Sequence, residues 1–490
     1  MILNLEGERP PSDLFDVAVI GAGAAGITIA RALAAYGKRV VLLEAGDDQQ
    51  QIRSQDPYAG RVTGNPYQPL IATRVRALGG TTNYWGGMCR PLDPIDFESR
   101  PEINRSGWPI SYQDLRPFEQ SACEILDLQS FGEDVVCDHS NEELRDLTFR
   151  KSAPTQFGKK YRDELAESDR ITTILNANLV GFQTGSSASN VKAVLIRNYT
   201  SNEQFLIRAK RFVLCCGGIE NARILLAANE EHGDRFGNTH GMVGTCFMEH
   251  PHIFPARFVI TKPDYDNDQY GDNDLNGNIR GLALTPNTLR NLKVGNCGLF
   301  LLGVTRQPLV DPSPRADLER LIPYSQTAGA VDGGLRYYGG GSVIMYCEQL
   351  PSRESKLRLD ADRDAFGIKR SHLHWALTKA ERLAMSELAI RVARYLARAD
   401  LGRMHLDPWI LNDAIPCPIE LGGHHHMGTT RMALSKRDGV VDANCLVFGT
   451  QNLYVCGGSV FSTGGFANPT FTIVQLALRL ARHLGGATDD

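Results

Sequence analysis

Three consecutive histidines, His424, His425 and His426, form a group of side chains that could move protons or bind a metal. Imidazole titrates near neutral pH and is also a common metal ligand. Adjacent side chains point in divergent directions, so the three make a poor cage for a single metal ion, and a solvated turn is the other simple interpretation. Asn468 could hydrogen-bond a ligand, although Asn468-Pro469 also suits the N-cap and first position of a final helix.

A second candidate site lies near the amino terminus, where Gly21, Gly23 and Gly26 form a G-x-G-x-x-G pattern. The pattern sits in a complete strand–helix–strand unit, with segments at 15–20, 27–35 and 40–43. Such glycines permit a tight turn, the approach of a pyrophosphate and close helix packing. Glu44 lies 18 residues after Gly26, at the spacing that lets a carboxylate accept hydrogen bonds from a ribose. The unit predicts a dinucleotide site, with the phosphates at the helix N-terminus.

The choice between FAD and NAD depends on the rest of the chain. No second G-x-G-x-x-G follows, so a separate NAD(P)H module is not expected. If FAD is bound, its electrons are therefore expected to come from the substrate itself.

A further glycine cluster runs from Gly79 to Gly87 around Trp85. Glycines allow a backbone to approach a ligand closely, so the segment could lie flat against a planar group. A tight turn with a buried tryptophan explains the same residues equally well.

The remaining elements must position these groups. Residues 90–170 read as mostly helical, for example over 111–126, and strands are expected at 191–197 and 204–208. A buried strand over 211–216 leads into a helix from 220 to 228, and 250–375 reads as strands with long polar loops. A helix over 379–399, a strand over 452–456 and a final helix follow. The Tyr337-Tyr338 segment could form a loop over the site, but a solvent turn is as good an interpretation.

The composition excludes several classes of protein. The chain has 490 residues, 42% of them hydrophobic, and a formal net charge of −4. This composition suits a folded core of two or three domains and provides no basic surface for nucleic acid. No apolar run is long enough to span a membrane, and the first ten residues do not read as a signal peptide. The 11 cysteines include no Cys-x-x-Cys pair, which is typical of reduced thiols in a cytoplasmic protein.

The motifs together resemble the glucose–methanol–choline (GMC) family of flavin oxidoreductases over nearly the whole chain. The resemblance is carried by the order of G-x-G-x-x-G with Glu44, the Gly79–Gly87 segment, Cys216-Gly217-Gly218, Val243-Gly244, Met248-Glu249-His250-Pro251, His-x-x-Gly-Thr-x-x-Met at 425–432, and Gly457-Gly458-Ser459 before Asn468-Pro469-Thr470. Within the family the chain is most similar to the branch of pyranose oxidase, fructose dehydrogenase and glycoside 3-oxidising enzymes.

The resemblance implies an α/β fold (α+β overall). A Rossmann-like FAD-binding domain would be assembled from 13–90, 171–250 and 430–490. Residues 91–170 and 251–429 would form a substrate domain, built on an antiparallel sheet with helices, and the connecting segments.

The resemblance also assigns roles to residues. Alignment of the His-x-x-Gly-Thr pattern selects His425 as the catalytic base, with Asn468 as its partner. The implied FAD contacts are Gly21, Gly23, Ala24, Ala25, Gly26, Glu44, Ala45, Arg76, Gly79, Gly80, Thr81, Asn83, Tyr84, Trp85, Gly86, Gly87, Gly217, Gly457, Gly458, Ser459, Asn468, Pro469 and Thr470. Tyr84 stands where members with covalent flavin have histidine, so non-covalent FAD is expected.

The implied activity is oxidation of a CH–OH group of a sugar, glycoside or other polyol, with hydride passing to flavin N5 and the proton to His425. Oxygen or another acceptor would reoxidise the flavin. Two alternatives remain: a lyase of the hydroxynitrile lyase type, in which the flavin is structural, and a flavoprotein that binds without catalysing. No nucleic-acid or membrane partner is expected.

Overall fold

The computed structural model describes residues 1–132, 143–185, 189–261, 278–302, 339–414 and 421–486. In chain order the strands are β1 (Ile2–Asn4), β2 (Leu14–Ile20), β3 (Val40–Leu43), β4 (Gly60–Gly64), β5 (Met88–Cys89), β6 (Leu144–Lys151), β7 (Ile171–Leu175), β8 (Asn178–Thr184), β9 (Val191–Arg197), β10 (Phe205–Leu214), β11 (Pro251–Ile260), β12 (Asn278–Leu284), β13 (Cys297–Leu302), β14 (Gly339–Cys347), β15 (Lys356–Arg363), β16 (Lys369–Trp375), β17 (Gly402–Leu406), β18 (Leu421–Gly422) and β19 (Leu453–Val455).

The α-helices of this part of the chain range from single turns to five turns. They are α1 (Ala24–Ala35), α2 (Ile52–Gln55), α3 (Pro94–Phe97), α4 (Tyr112–Leu115), α5 (Glu119–Ile125), α6 (Phe157–Lys160), α7 (Arg162–Glu167), α8 (Gly217–His232), α9 (Pro286–Leu292), α10 (Lys379–Arg398), α11 (Pro408–Leu411) and α12 (Thr470–Gly486).

The first sheet is largely parallel, in the order β1-β7-β3-β2-β10, with β19 also parallel to β10. An antiparallel extension, β10-β9-β8, completes it. Strand β3 is buried throughout and β2 nearly so, as expected for a sheet covered on both faces. Helix α1 packs against α12. The confirmed fold class is mixed α/β with an FAD-binding fold.

Several strands of this sheet end at the same level. Ile20 of β2 pairs with Leu43 of β3 and with Leu214 of β10, and Leu214 also pairs with Val455 of β19. The residues that follow these strand ends therefore meet along one edge. In parallel α/β sheets this carboxyl edge is where ligands bind.

The second sheet is antiparallel, in the order β17-β11-β14-β13-β12-β6-β5, with β18 paired to β11. Helix α10 packs across β13, β14 and β17 and buries an apolar stripe that includes Leu388 and Val392. A smaller third sheet pairs β15 with β16 and β16 with β4. The division into two discontinuous domains remains a prediction.

Three expected elements have different limits in the structure. The expected helix over 111–126 is divided into α4, a 3₁₀ turn over Arg116–Phe118 and α5, because Pro117 lacks the N–H needed inside a helix. The strands expected at 204–208 and 211–216 are one continuous strand, β10. Helix α8 is longer than expected and ends at Gly233, which has a φ of 75°.

Within the described ranges, no helix combines the length and the apolar character needed to cross a membrane. The expectation about Tyr337-Tyr338 falls outside the described residues.

Candidate active site

A cavity of about 390 Å³ opens at the carboxyl edge of the first sheet. His425, Asn468 and most of the residues expected to contact FAD line it. The predicted contacts that do not line it are Gly26, Gly79, Asn83 and Ser459. The cavity therefore brings together the glycine-rich turn after β2, the Gly79–Gly87 segment and the two expected catalytic residues.

Three of these four residues support the backbone around the cavity. A Cβ on Gly26 would lie 1.8 Å from the carbonyl oxygen of Gly21, so α1 can pack on the turn only without a side chain there. Asn83 donates through Nδ2 to the Leu78 carbonyl over 2.9 Å. Ser459 accepts a hydrogen bond from Asn221 over 2.9 Å.

The glycine-rich turn has the features of a phosphate cradle. Gly21 has a φ of 103°, and a Cβ on Gly23 would meet no protein atom within 4 Å. Gly23 precedes α1, whose first turn has no side-chain cap and no acidic residue. Free N–H groups at such a helix start bind phosphate well. The residues present fit the pyrophosphate of FAD.

Glu44 lies at the end of β3 and is buried. Its Oε2 accepts the N–H of Ala22 over 3.0 Å, and its Oε1 accepts that of Gly46 over 2.8 Å. Burial raises the pKa of this carboxyl, and the two N–H groups oppose the rise. Each oxygen has a further lone pair, so the expected contact with a ribose remains open to it.

The three histidines turn to three different partners. His424 Nε2 lies 3.1 Å from Gln68 Oε1, His425 Nδ1 lies 2.9 Å from His250 Nδ1, and His426 Nε2 lies 2.9 Å from Tyr67 Oη. No cluster of three or more potential metal ligands occurs in the ranges that the structure describes.

His425 is enclosed by other imidazoles. Burial, followed by the neighbouring His250 and His252, holds its pKa well below the usual value of 6.5. The expectation of an imidazole that titrates near neutral pH is therefore wrong for His425, whose ring is neutral at pH 7, with one nitrogen able to accept a proton.

Glu249 lies behind this ring and is fully buried. It accepts the backbone N–H of His425 over 2.6 Å and that of His250 over 2.9 Å, and it also accepts the hydroxyl of Tyr67. Burial raises its pKa to about 7. These bonds hold both histidine backbones in place.

Asn468 does not cap the final helix, so the N-cap interpretation is wrong. Helix α12 begins at Thr470, and its first backbone bond runs from the Ile473 N–H to the Pro469 carbonyl. The Oδ1 atom of Asn468 is buried and has no hydrogen-bond partner among the described residues. A buried polar atom without a partner, on a residue of a cavity wall, fits a site that binds a ligand.

Sequence reasoning missed several residues of the site. Tyr58, Arg74 and Glu220 line the cavity, and the Arg74 guanidinium stacks 4.0 Å from the centre of the Tyr58 ring. No pattern in the sequence marked them. His250 and Glu249 belonged to a noted motif, but the motif carried no role.

Comparison with known proteins agrees with this architecture. A model described as "GMC oxidoreductase" matches residues 351–477, and one described as "FAD dependent oxidoreductase" matches residues 16–100. The chain is 30% identical to 6'''-hydroxyparomomycin C oxidase of Streptomyces lividus, over 96% of this chain and 91% of that protein. It is 24% identical to 2-methyl-1,2-propanediol dehydrogenase of Mycolicibacterium austroafricanum, over 98% of this chain and 96% of that protein.

Solved structures show the same fold at low sequence identity. A fungal aryl-alcohol oxidase superimposes with a TM-score of 0.61 and 14% identity, over 97% of this chain and 99% of that one.

Proposed function

Since this chain belongs to the GMC oxidoreductase family and uses FAD, we propose that it oxidises a CH–OH group of a sugar, glycoside or other polyol to C=O, with His425 as the base. The observation that carries the proposal is one cavity lined by the dinucleotide turn, by His425 and by Asn468, whose Oδ1 is unpaired among the described residues. Bound FAD would supply the hydride acceptor.

Distinct parts of the cavity would hold the two ends of the cofactor. The turn at Gly21 and Gly23 would bind the pyrophosphate, and Glu44 the adenosine ribose. The Gly79–Gly87 segment and the residues before α12 would bind the flavin. Tyr84 lines the cavity at the position where members with covalent flavin have histidine, so FAD would bind non-covalently.

His425 would accept the hydroxyl proton of the substrate. Its ring is neutral at pH 7, because burial holds its pKa low, so it is ready to accept a proton. A low pKa makes a weak base. The proton therefore transfers favourably only as the C–H bond breaks and the developing carbonyl makes the hydroxyl more acidic.

Asn468 would hold the substrate oxygen. Its Oδ1 is buried and has no donor among the described residues, and such a group is costly unless a ligand hydroxyl donates to it. An amide also has two N–H donors for a carbonyl oxygen as that oxygen forms. The same side chain can thus bind the alcohol and the product.

The substrate class is proposed from the site and from the relatives. The names of two of them specify 6'''-hydroxyparomomycin C and 2-methyl-1,2-propanediol, and both names indicate hydroxyl groups. The cavity wall also includes Arg74, whose Nη1 lies 3.8 Å from Glu220 Oε2 and whose Nε has no hydrogen-bond partner in the described ranges. Oxygen or another acceptor would then reoxidise the flavin.

The proposal is tested by mixing the purified holoenzyme anaerobically with sugars, glycosides and diols while the visible flavin band is followed. Loss of the band with one class identifies the substrate and supports hydride transfer, and readmission of air separates an oxidase from a dehydrogenase. A substrate that is converted while the flavin stays oxidised would contradict the proposal and support the lyase alternative.

A further inference from the structure

His250 lies directly behind His425 and is fully buried. The Nδ1 atoms of the two rings are 2.9 Å apart. The other nitrogen of His250, Nε2, lies 3.3 Å from the carbonyl oxygen of Gly464. One imidazole is therefore placed between a second imidazole and a backbone carbonyl.

The two contacts determine where the protons are. A carbonyl oxygen only accepts, so Nε2 of His250 must carry a hydrogen. Burial lowers the pKa of His250 to about 4, so at pH 7 the ring has a single proton and its Nδ1 is a bare acceptor. The 2.9 Å contact then needs a hydrogen on Nδ1 of His425, which leaves the lone pair of His425 on Nε2.

We propose that His250 is a positioning residue that selects the tautomer of His425 with its lone pair on Nε2, through the chain Gly464 carbonyl, His250 and His425 Nδ1. The inference deepens the proposed function, because it names the atom of His425 that accepts the proton. Nε2 of His425 has no hydrogen-bond partner among the described residues, and the ring lines the cavity.

The backbone is arranged to keep this contact. Met248 and Met427 form a β-bridge on one side of the histidines, and Pro251 pairs with Gly422 on the other. The Glu249 carboxylate accepts the backbone N–H groups of both His250 and His425. These contacts fix the backbones of the two histidines relative to each other.

The protonation balance follows directly. The substrate O–H bond breaks and an N–H bond forms at Nε2 of His425, while the electron pair of the C–H bond leaves as the hydride of the proposed reaction. His425 then carries two protons and one positive charge. Its Nδ1–H still donates to His250, and a hydrogen bond from a charged donor is stronger than a neutral one. The contact therefore stabilises the state that follows proton transfer.

The tautomer can be measured without turnover. In ¹⁵N-labelled holoenzyme at about pH 7, the imidazole nitrogen shifts distinguish protonated from bare nitrogens, and the signals that disappear in His425→Gln belong to His425. We expect a protonated Nδ1 and a bare Nε2. In His250→Leu, which removes both contacts, we expect a mixture of tautomers. The opposite tautomer in the wild type, or an unchanged spectrum in His250→Leu, would overturn the proposal.

Kinetics provide the second test. The rate of anaerobic flavin reduction at saturating substrate should fall about 10- to 100-fold in His250→Leu, with FAD content and substrate affinity unchanged. His250→Asn keeps an acceptor near the Nδ1 position and should recover most of the rate, which a purely structural role would not predict. Equal losses in both variants would contradict the proposal.

His252→Phe is the matched control. His252 follows His250 by two residues and lies on β11. Its ring centre is 6.0 Å from that of His425, and no hydrogen bond joins the His252 and His425 rings. This variant should keep the tautomer, because it removes no hydrogen bond to His425. If no alcohol reduces the wild-type flavin, the proposed function fails, whereas the tautomer measurement still decides the role of His250.

Discussion

Met248 and Met427 exchange two backbone hydrogen bonds, of 2.9 and 3.0 Å, although they belong to segments far apart in the sequence. The bridge places the His250 segment beside the His424–His426 segment. The catalytic ring expected from the sequence is therefore oriented by a second segment of chain. That pairing brings one of three adjacent histidines, His425, within 2.9 Å of the His250 ring.

The glycines of the dinucleotide turn have separable roles. Gly23 has an ordinary φ of −85° and free space where a Cβ would stand, so Gly23→Ala should fold normally but reduce FAD affinity at least about tenfold, because the methyl group occupies the phosphate position. Flavin content after gel filtration and thermal unfolding of the apoprotein test both parts.

Gly26→Ala is the contrasting variant. Its Cβ would lie 1.8 Å from the Gly21 carbonyl oxygen, so the apoprotein itself should be destabilised. An apoprotein of Gly26→Ala as stable as that of Gly23→Ala would contradict the division of roles.

Asn468→Ala separates ligand binding from helix capping. Removal of a good N-cap costs about 1 kcal/mol, but Asn468 makes no cap bond, and removal of an unpaired buried oxygen carries no such loss. We expect the Tm of the apoprotein to be unchanged or slightly higher, and flavin reduction to be slower by about 10- to 100-fold. A lower Tm, as expected from the loss of a cap of about 1 kcal/mol, together with an unchanged rate of flavin reduction, would restore the capping interpretation.

His252 should make the protein sensitive to acid. Burial lowers its pKa in the fold to about 3, whereas the unfolded chain has the ordinary value near 6.5. As the pH falls below about 6.5, His252 takes up a proton in the unfolded chain but stays neutral in the folded protein. Proton binding therefore favours the unfolded chain, and the free energy of unfolding decreases. At about pH 5 this one group costs about 2 kcal/mol relative to pH 8.

His252→Phe tests this linkage, since phenylalanine can keep the contact with Tyr346, whose ring centre is 4.2 Å away. The free energy of unfolding is measured with urea at pH 8 and at about pH 5. Its decrease between these pH values should be about 2 kcal/mol smaller in the variant than in the wild type. His405→Phe, at an exposed position, is the control. Equal acid sensitivity in His252→Phe and the wild type would refute the prediction.

Sequence patterns were most informative for the part of the site that a single contiguous segment forms. The strand–turn–helix unit at Gly21 to Glu44 is a contiguous motif, and parallel pairing then places its end beside those of β10 and β19. Helix limits were less accurate, since Pro117 divides one predicted helix and α12 begins after Asn468.

The surroundings of His425 could not be predicted in the same way. The pKa of this ring depends on burial and on His250 and His252, which come from a distant segment, so an unperturbed value misjudged it. Arg74 and Tyr58 reach the cavity from an irregular region that has no periodic pattern to read. Long-range packing, and not residue type, decides these features.

His425 is proposed to accept the substrate proton while FAD is bound beside it. The most direct measurement is the rate of anaerobic flavin reduction by a saturating alcohol substrate in His425→Ala, compared with the wild type at equal flavin content. The variant should bind FAD normally and reduce it at least about 10²-fold more slowly. Reduction at close to the wild-type rate would remove His425 from the chemistry and contradict the account.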